Sequence, residues 1–395
     1  MVNTYGLAGY SRSGLRNARS SGPRGQSDRM LRLQKSYTLS RYALRRRLPI
    51  AIVTEHVVKT GDHQTFYLAS GPEAGPPVIF CHGWPELSIS WRHQLQCLGD
   101  LGFRAIAPDM RGYGRSTIYP RHEDYALVHS VGDMIGVADA LCIEKAVWIG
   151  HDWGAPVVWS IASHHPTRCH AVANLCVPYA TLEHGYEACL PLLDRSVYPE
   201  DEYPFGQWDY QRFYEEDFAR AIQPLDANPT NAIKVVSRKG MPEMRGKVWR
   251  TATIRRDGGW FGGAAEAPEL PLDAVVLSEA DLSVFVAALT RNGFFGPSSW
   301  YMNHERNAEY SAQAVNGGRL DMPVLFLIGQ YDYTCECVDS ALAEPMRALC
   351  SNLTERTVAS GHWMAQEKPV EVNAAIVHWL ATAVSDIWPL PTATA

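Results

Sequence analysis

Short apolar runs alternate with longer stretches of helical periodicity from residue 48 to near the end of the chain. Several runs are apolar almost throughout, as strands buried on both faces are. These runs are PPVIFCHG, FRAIAPD, KAVWIGHD and DMPVLFLIGQYD. The stretches between them repeat apolar residues three or four positions apart, as in VHSVGDMIGVADALC and APVVWSIASHH, which indicates helices. The alternation predicts an α/β fold, with a mostly parallel central sheet flanked by helices.

The alternation stops between residues 181 and 318, where aromatic residues, charge and breaks such as RRDGGWFGGAAEAPELP dominate. We expect this stretch to form a mainly helical cap domain inserted into the sheet domain. Five parts are predicted in total. They are a basic leader at 1–47, a first core part at 48–180, the cap at 181–318, a second core part at 319–388 and a tail at 389–395.

Composition and charge exclude several classes of protein. The chain has 395 residues, a net charge of −6 and nine scattered cysteines without a CxxC pair, which favours reduced thiols. We expect a soluble chain, because it has no apolar run that could span a bilayer and no signal peptide. Residues 1–47 carry ten Arg and Lys35 against Asp28, a net charge of +10, so the remainder carries −16. A body this acidic argues against nucleic acid as a partner.

The leader is rich in Ser and Arg and nearly free of acidic residues, which is typical of an organelle transit peptide. A disordered arm or a misassigned start codon would give the same composition. We expect a cytoplasmic protein, with a mitochondrial location as the alternative that the leader raises.

Polar side chains follow five predicted strands directly: His82, Asp109, Asp152, Asp332 and His362. In open α/β sheets reacting groups collect at these carboxyl ends. Asp152 is of special interest because it stands between Gly150 and Gly154, which permit a tight turn from strand to helix. Its alternative role is that of an ordinary helix N-cap.

The order of the other two residues favours catalysis. Asp332 and His362 follow Asp152 in the order nucleophile, acid and base found in hydrolases with such a turn. Asp332 alone would also be explained as a cap of the next helix. We interpret His82 as structural support for its loop rather than as a second base.

Taken together, the motifs HGWP from His82, DMRGYGRS, GHDWG from Gly150, GQYD and SGHW resemble the α/β-hydrolase fold family, and within it the soluble epoxide hydrolase branch. The resemblance runs from residue 50 to residue 385. It implies that Asp152 is the nucleophile, Asp332 the acid and His362 the base. It also implies an oxyanion hole formed by the backbone NH groups of Trp84 and Trp153, with Gly83 and Pro85 shaping the first loop.

Members of this branch carry two cap tyrosines that contact the epoxide oxygen. The resemblance places them at Tyr210, in WDYQRFYEE, and at Tyr301, in SSWYMNHERN. Trp300 and Asn303 support the second assignment. The first leaves Tyr203 and Tyr214 open as alternatives.

An aspartate nucleophile has a chemical reason in an epoxide hydrolase. A serine that opened an epoxide would be left as an unreactive ether, whereas a carboxylate forms an ester that water can cleave. The implied reaction converts an epoxide and water to a vicinal diol, with no cofactor and no metal. The aromatic cap suggests a small apolar or aromatic substrate. The oligomeric state stays open, with a homodimer as one alternative.

Two rival functions remain on the sequence alone. A haloalkane dehalogenase would use the same Asp152, with tryptophan NH groups holding the halide, but would leave the tyrosines without a role. A non-catalytic protein that binds small molecules on the same fold is the alternative from another class.

Overall fold

A sheet of eight strands forms the centre of the computed structural model, which describes residues 51–389. The strands are β1 Thr54–Thr60, β2 His63–Ser70, β3 Pro77–Cys81, β4 Arg104–Pro108, β5 Ala146–His151, β6 Cys169–Leu175, β7 Val324–Gly329 and β8 Leu353–Val358. They lie in the order β1-β2-β4-β3-β5-β6-β7-β8. In the described residues β2 pairs antiparallel with β1 and with β4, and the other five pairs of neighbouring strands are parallel, so the predicted, mostly parallel sheet is confirmed.

The inner strands are apolar because helices cover both faces of the sheet. Every residue of β5 and β7 is buried, whereas β1, at one edge, is largely exposed. The helices of the sheet region are α1 Arg92–Asp100, α2 Leu127–Ala140, α3 Gly154–His164, α10 Glu344–Leu349, α11 Met364–Glu367 and α12 Pro369–Ala383. A 3-10 turn at Ser88–Trp91 leads into α1, and the Ser88 NH in this turn donates to Asp109 Oδ1 at 2.9 Å.

Between β6 and β7 the described chain contains helices and loops but no strand. The α-helices here are α4 Asp209–Glu216, α5 Phe218–Ala227, α6 Pro229–Val236, α7 Glu279–Asn292, α8 Phe295–Ser298 and α9 His304–Ser311. Side-chain caps separate them. Asp217 caps α5, Asn228 caps α6, and Ser278 with Asp281 forms a capping box on α7.

The predicted division into core and cap at residues 180/181 and 318/319 stays a prediction. The leader at 1–47 and the tail beyond Pro389 lie outside the described residues. Across residues 51–389, every helix is too short or too polar to traverse a lipid bilayer.

Candidate active site

Asp152 occupies a sharp turn between β5 and α3. Its φ is +49°, an unusual value for a residue with a side chain and one that is found at functional sites. The flanking glycines are required by close packing. A Cβ on Gly154 would lie 2.8 Å from the His82 carbonyl oxygen, and a Cβ on Gly150 would lie 2.6 Å from the Gly154 carbonyl oxygen. The turn therefore holds the Asp152 carboxylate above the carboxyl end of the sheet.

Two further strand ends bring Asp332 and His362 to the same point. Asp332 lies in the turn after β7, and His362 lies in the loop after β8. His362 Nδ1 is 2.8 Å from Asp332 Oδ2, and His362 Nε2 is 3.4 Å from Asp152 Oδ2. The backbone NH groups of Thr334 and Cys335 each donate to Asp332 Oδ1 at 3.0 Å. The three side chains thus form a continuous chain of polar contacts.

Charges and hydrogen bonds at the site shift the pKa values of Asp332 and His362. Burial alone would raise the pKa of Asp332, but the charge and hydrogen bond of His362 and the Cys335 NH lower it to about 2. Burial opposes a charge on His362 as well. The charge of Asp332 and the hydrogen bonds with Asp152 and Asp332 outweigh burial, so that the pKa of His362 is raised well above its usual value.

The two backbone NH groups that sequence reasoning assigned to an oxyanion hole lie beside the carboxylate. The Trp84 NH donates to Asp152 Oδ1 at 2.6 Å. The Trp153 NH stands at the start of α3, where NH groups lack intrahelical acceptors. The loop after β3, which carries Trp84, is tight and contains a cis peptide bond between Trp84 and Pro85. A Cβ on Gly83 would collide with Asp152 and with the Trp153 nitrogen.

His82 has the geometry of a structural residue. Its Nε2 accepts from the Met110 NH at 2.9 Å, so its Nδ1 carries the proton and donates to the Gly83 carbonyl at 2.9 Å. Burial lowers the pKa of His82, which keeps the ring neutral. Its role as support for the loop stays a prediction. Asp109, at the end of β4, is likewise occupied by the NH groups of Ser88 and Arg115.

A cavity of about 400 Å³ opens from the carboxylate towards the inserted helices. Asp152, Asp332 and His362 lie in its wall, and aromatic or apolar side chains make up most of the remainder. The aromatic and apolar lining residues are Trp84, Tyr210, Val236, Met241, Met244, Val248, Trp249, Trp260, Tyr301, Tyr331, Tyr333 and Trp363.

The structure places Tyr210 and Tyr301 together at this cavity, with ring centroids 5.6 Å apart. Tyr214 lies behind them and stacks on Tyr301 at 4.6 Å. Tyr203 lies away from the cavity, with the Arg256 guanidinium 5.2 Å above its ring. Of the three candidates for the first tyrosine, Tyr210 is therefore the one that lines the cavity.

Hydrogen bonds explain why Trp300 and Asn303 flank Tyr301. Trp300 Nε1 donates to the Arg111 carbonyl at 3.1 Å, and Asn303 Nδ2 donates to the His122 carbonyl at 2.7 Å. Both acceptors lie in the segment between β4 and α2. The two side chains therefore fix the segment that carries Tyr301 onto the sheet domain.

Sequence reasoning missed a buried network around Glu86. The Glu86 carboxylate accepts from His151 Nδ1 at 2.8 Å and from Gln366 Nε2 at 3.1 Å. His151 Nε2 donates to the His362 carbonyl at 2.8 Å. Burial would raise the pKa of Glu86, but the charge of His151 lowers it to about 2. A signal was available, because Glu86 directly follows the HGWP motif and His151 precedes Asp152.

Sequence reasoning also missed a contact between the inserted segment and the loop that carries His362. The Glu367 carboxylate accepts from the Gly361 NH at 2.8 Å and from the Gly240 NH at 3.0 Å. The two glycine backbones touch, since a Cβ on Gly240 would lie 2.9 Å from the Gly361 Cα. One buried carboxylate therefore binds both segments.

The class of protein follows from this fold and from a family comparison. A family model described as the alpha/beta hydrolase fold matches residues 76–369. The match includes β3 to β8 and all three residues of the polar chain.

Relatives narrow this class. Epoxide hydrolase A of Mycobacterium tuberculosis is 32% identical over 336 residues, which cover 83% of this chain and 97% of that protein. Bifunctional epoxide hydrolase 2 of Sus scrofa is 31% identical over 313 residues, 78% of this chain but only 52% of that longer protein. The crystal structure of Epoxide Hydrolase A from Mycobacterium thermoresistibile superposes with a TM-score of 0.68 at 31% identity, covering 84% of this chain and 99% of that one. The chain belongs to the α/β-hydrolase fold family and, within it, to the epoxide hydrolases.

Proposed function

We propose that this protein hydrolyses an epoxide to a vicinal diol through a covalent ester on Asp152. The observation that supports this most is the meeting of an anionic nucleophile, a histidine with its acid partner and two phenols at one cavity. Relatives that cover most of the chain are named epoxide hydrolases.

In the first half-reaction, an oxygen of the Asp152 carboxylate attacks a ring carbon and the bond from that carbon to the ring oxygen breaks. The departing oxygen takes a proton from Tyr210 or Tyr301. Burial, with the Asp152 charge adding to it, raises the pKa of Tyr210 well above 10, so the phenol stays protonated. Burial does the same for Tyr301, and the Asp152 charge again adds to it. Gln211 donates to the Tyr210 oxygen at 3.0 Å, which leaves the Tyr210 hydroxyl proton free for the substrate.

In the second half-reaction, His362 Nε2 takes a proton from water and the resulting hydroxide attacks the ester carbonyl carbon of Asp152. The Trp84 and Trp153 NH groups stabilise the oxyanion that forms. The oxyanion then collapses, the bond from the carbonyl carbon to the substrate oxygen breaks, and that oxygen leaves as a hydroxyl of the diol with the proton held by His362. The Asp152 carboxyl group loses its proton, which restores the tyrosine that was deprotonated in the first half-reaction. The ester itself prepares His362 for this role. Once Asp152 is esterified its negative charge is gone, so one of the causes that raise the pKa of His362 disappears and the ring becomes a better base.

The substrate class follows from the wall of the cavity. A small apolar or aromatic epoxide suits its tryptophans, tyrosines and methionines. A haloalkane is less well suited, because the Trp84 indole NH donates to Ser298 Oγ at 3.3 Å instead of offering itself to a halide. We propose that the inserted helices at 181–318 act as the cap that closes the cavity. A homodimer stays a prediction.

Purified protein incubated with a panel of aromatic and aliphatic epoxides and matched haloalkanes tests the reaction type. We expect diol from the epoxides, no halide release, and no diol with freshly prepared Asp152→Asn. Halide release without diol would overturn the proposal, and full activity of the variant would remove Asp152 from the mechanism.

A single turnover in ¹⁸O-labelled water tests the covalent ester. Water attacks the Asp152 carbonyl carbon, so the label is expected in the protein and absent from the first diol released. Label in that first diol would mean that water attacks the epoxide directly.

A further inference from the structure

Two thiols lie against the His362 loop, although the proposed reaction uses neither. Cys176 Sγ is 3.3 Å from the His362 carbonyl oxygen. Cys335 is 97% buried, and its Sγ, a carboxylate oxygen of Asp332 and a ring nitrogen of His362 all lie within 4.8 Å of one another. Thiolate, carboxylate and imidazole are the ligands that zinc prefers in proteins. The fold thus adds a sulfur donor to the acid and the base of the site.

We propose that Asp332, Cys335 and His362 form an inhibitory site for a thiophilic divalent cation, with Zn²⁺ as the type. Asp332 and His362 line the cavity, so an ion can reach them from solvent, and a cavity water can complete four-fold coordination. The donors come from two loops, residues 332–335 after β7 and residue 362 after β8, which explains why ligand spacing along the sequence does not reveal the site.

Charge balance favours this set of ligands over a neighbouring one. The Asp332 carboxylate and the Cys335 thiolate together supply two negative charges, which neutralise the ion in a buried place. The donor atoms of His151, Cys176 and His362 also lie close together, but that set offers only one anionic ligand.

Coordination would change the tautomer of His362. The nitrogen next to Asp332 is Nδ1, so the metal takes the place of the Nδ1 proton. The neutral ring then carries its proton on Nε2, and the Cys335 thiol releases its proton to solvent as the sulfur binds the metal. His362 Nε2 faces the Asp152 carboxylate, so it keeps this proton and donates there. A histidine in this state cannot take a proton from water.

This inference rests on the proposed function for its kinetic consequence. Asp152 keeps its carboxylate free, so the first half-reaction continues while the second is blocked. Zinc is therefore expected to trap the enzyme as its ester after one attack on the epoxide. An ion bound instead to Asp152 or to Nε2 would stop both half-reactions.

The kinetic test uses the wild-type protein, freed of metal with a chelator, with and without ZnCl₂. With zinc we expect about one equivalent of epoxide consumed per site, little diol, and an intact mass raised by the mass of the epoxide. Full diol turnover at saturating zinc would overturn the proposal. So would complete protection of the epoxide from attack, because that places the ion on the nucleophile side.

Substitutions locate the ion. In Cys335→Ser and Cys335→Ala, we expect the zinc concentration for half-inhibition to rise by about tenfold or more, each variant being compared with its own metal-free rate. The matched control is Cys142→Ser, which removes an exposed thiol and should leave inhibition unchanged. Loss of inhibition in Cys176→Ser but not in the Cys335 variants would assign the ion to the other set of ligands and overturn the proposal.

A binding measurement without substrate separates this inference from the proposed function. CoCl₂ titrated into the protein should give a thiolate-to-cobalt charge-transfer band that Cys142→Ser retains and both Cys335 variants lose. If the band appears but no ester forms when the protein is incubated with epoxide, the metal site is supported and the proposed function is overturned. Absence of the band in a folded wild-type protein would overturn the metal site.

Discussion

Gly83 offers a direct test of how the nucleophile is positioned. It lies in the loop after β3, and its φ is outside the left-handed region, so an alanine meets no backbone strain there. The methyl group, however, would lie 2.6 Å from the Trp153 nitrogen and closer still to Oδ1 and Cβ of Asp152. Ordinary contact is about 3.5 Å, so the turn must move by about 1 Å. The variant thus displaces the nucleophile without changing any reacting group.

The expected cost of Gly83→Ala follows from that displacement. A shift of about 1 Å in a reacting group lowers the rate by about 10²-fold, and overpacking of this kind lowers the free energy of unfolding by about 1–3 kcal/mol. We therefore expect kcat/KM for diol formation to fall by about 10²-fold in a protein that still folds. The assay is diol formation by chromatography, with urea unfolding measured on the same preparation.

Gly132→Ala is the matched control. Gly132 lies on the exposed side of α2, and a Cβ there has no neighbour within 4 Å. The same substitution should leave kcat/KM unchanged and raise the free energy of unfolding by about 0.5–1 kcal/mol, because alanine is the better helix former. A folded Gly83→Ala variant with the wild-type kcat/KM would refute the argument that close packing of this loop sets the position of Asp152.

Three further predictions concern the two half-reactions. His362→Gln should accumulate the Asp152 ester, visible as a raised intact mass, and an unchanged mass during incubation with epoxide would contradict the role of His362. Tyr301→Phe should slow ester formation by about 10²-fold. Tyr214→Phe is the control, because it removes a hydroxyl outside the cavity and should react at close to the wild-type rate. Equal rates of ester formation in the wild type and both variants would discard the acid role of Tyr301. In single-turnover stopped flow, ester hydrolysis should accelerate with rising pH as His362 loses its proton. The pKa of His362 in the ester should lie below its pKa in the free enzyme, because the Asp152 charge is absent. A rate independent of pH would argue against His362 as the base.

Local patterns made the sheet and the polar chain predictable. Apolar runs identified the buried strands, and residues at the carboxyl ends of parallel strands share one edge of the sheet whatever the loops do. Asp152, Asp332 and His362 could therefore be named before any coordinate, and the structure brings them into contact.

Choices that depend on packing between distant segments were not predictable. Tyr210 and Tyr214 are four residues apart on α4, so they share a side of the helix, and only tertiary packing decides which of them lines the cavity. The segment around Gly240 carries no sequence signal for its contact with Gly361. The thiol of Cys335 became a candidate metal ligand only once β7 and β8 were seen side by side.

The Glu367 carboxylate has a mechanical consequence. It accepts hydrogen bonds from the Gly240 and Gly361 NH groups, so it holds the wall of the cavity and the loop that carries His362 at a single point. If the cavity entrance widens, the inserted segment must bend at another place. A movement at Gly240 itself would displace His362 from Asp332 and Asp152. Substitutions that reshape the wall for bulkier substrates should therefore leave this junction intact. A change at the junction that is meant to improve access would instead lower the catalytic rate.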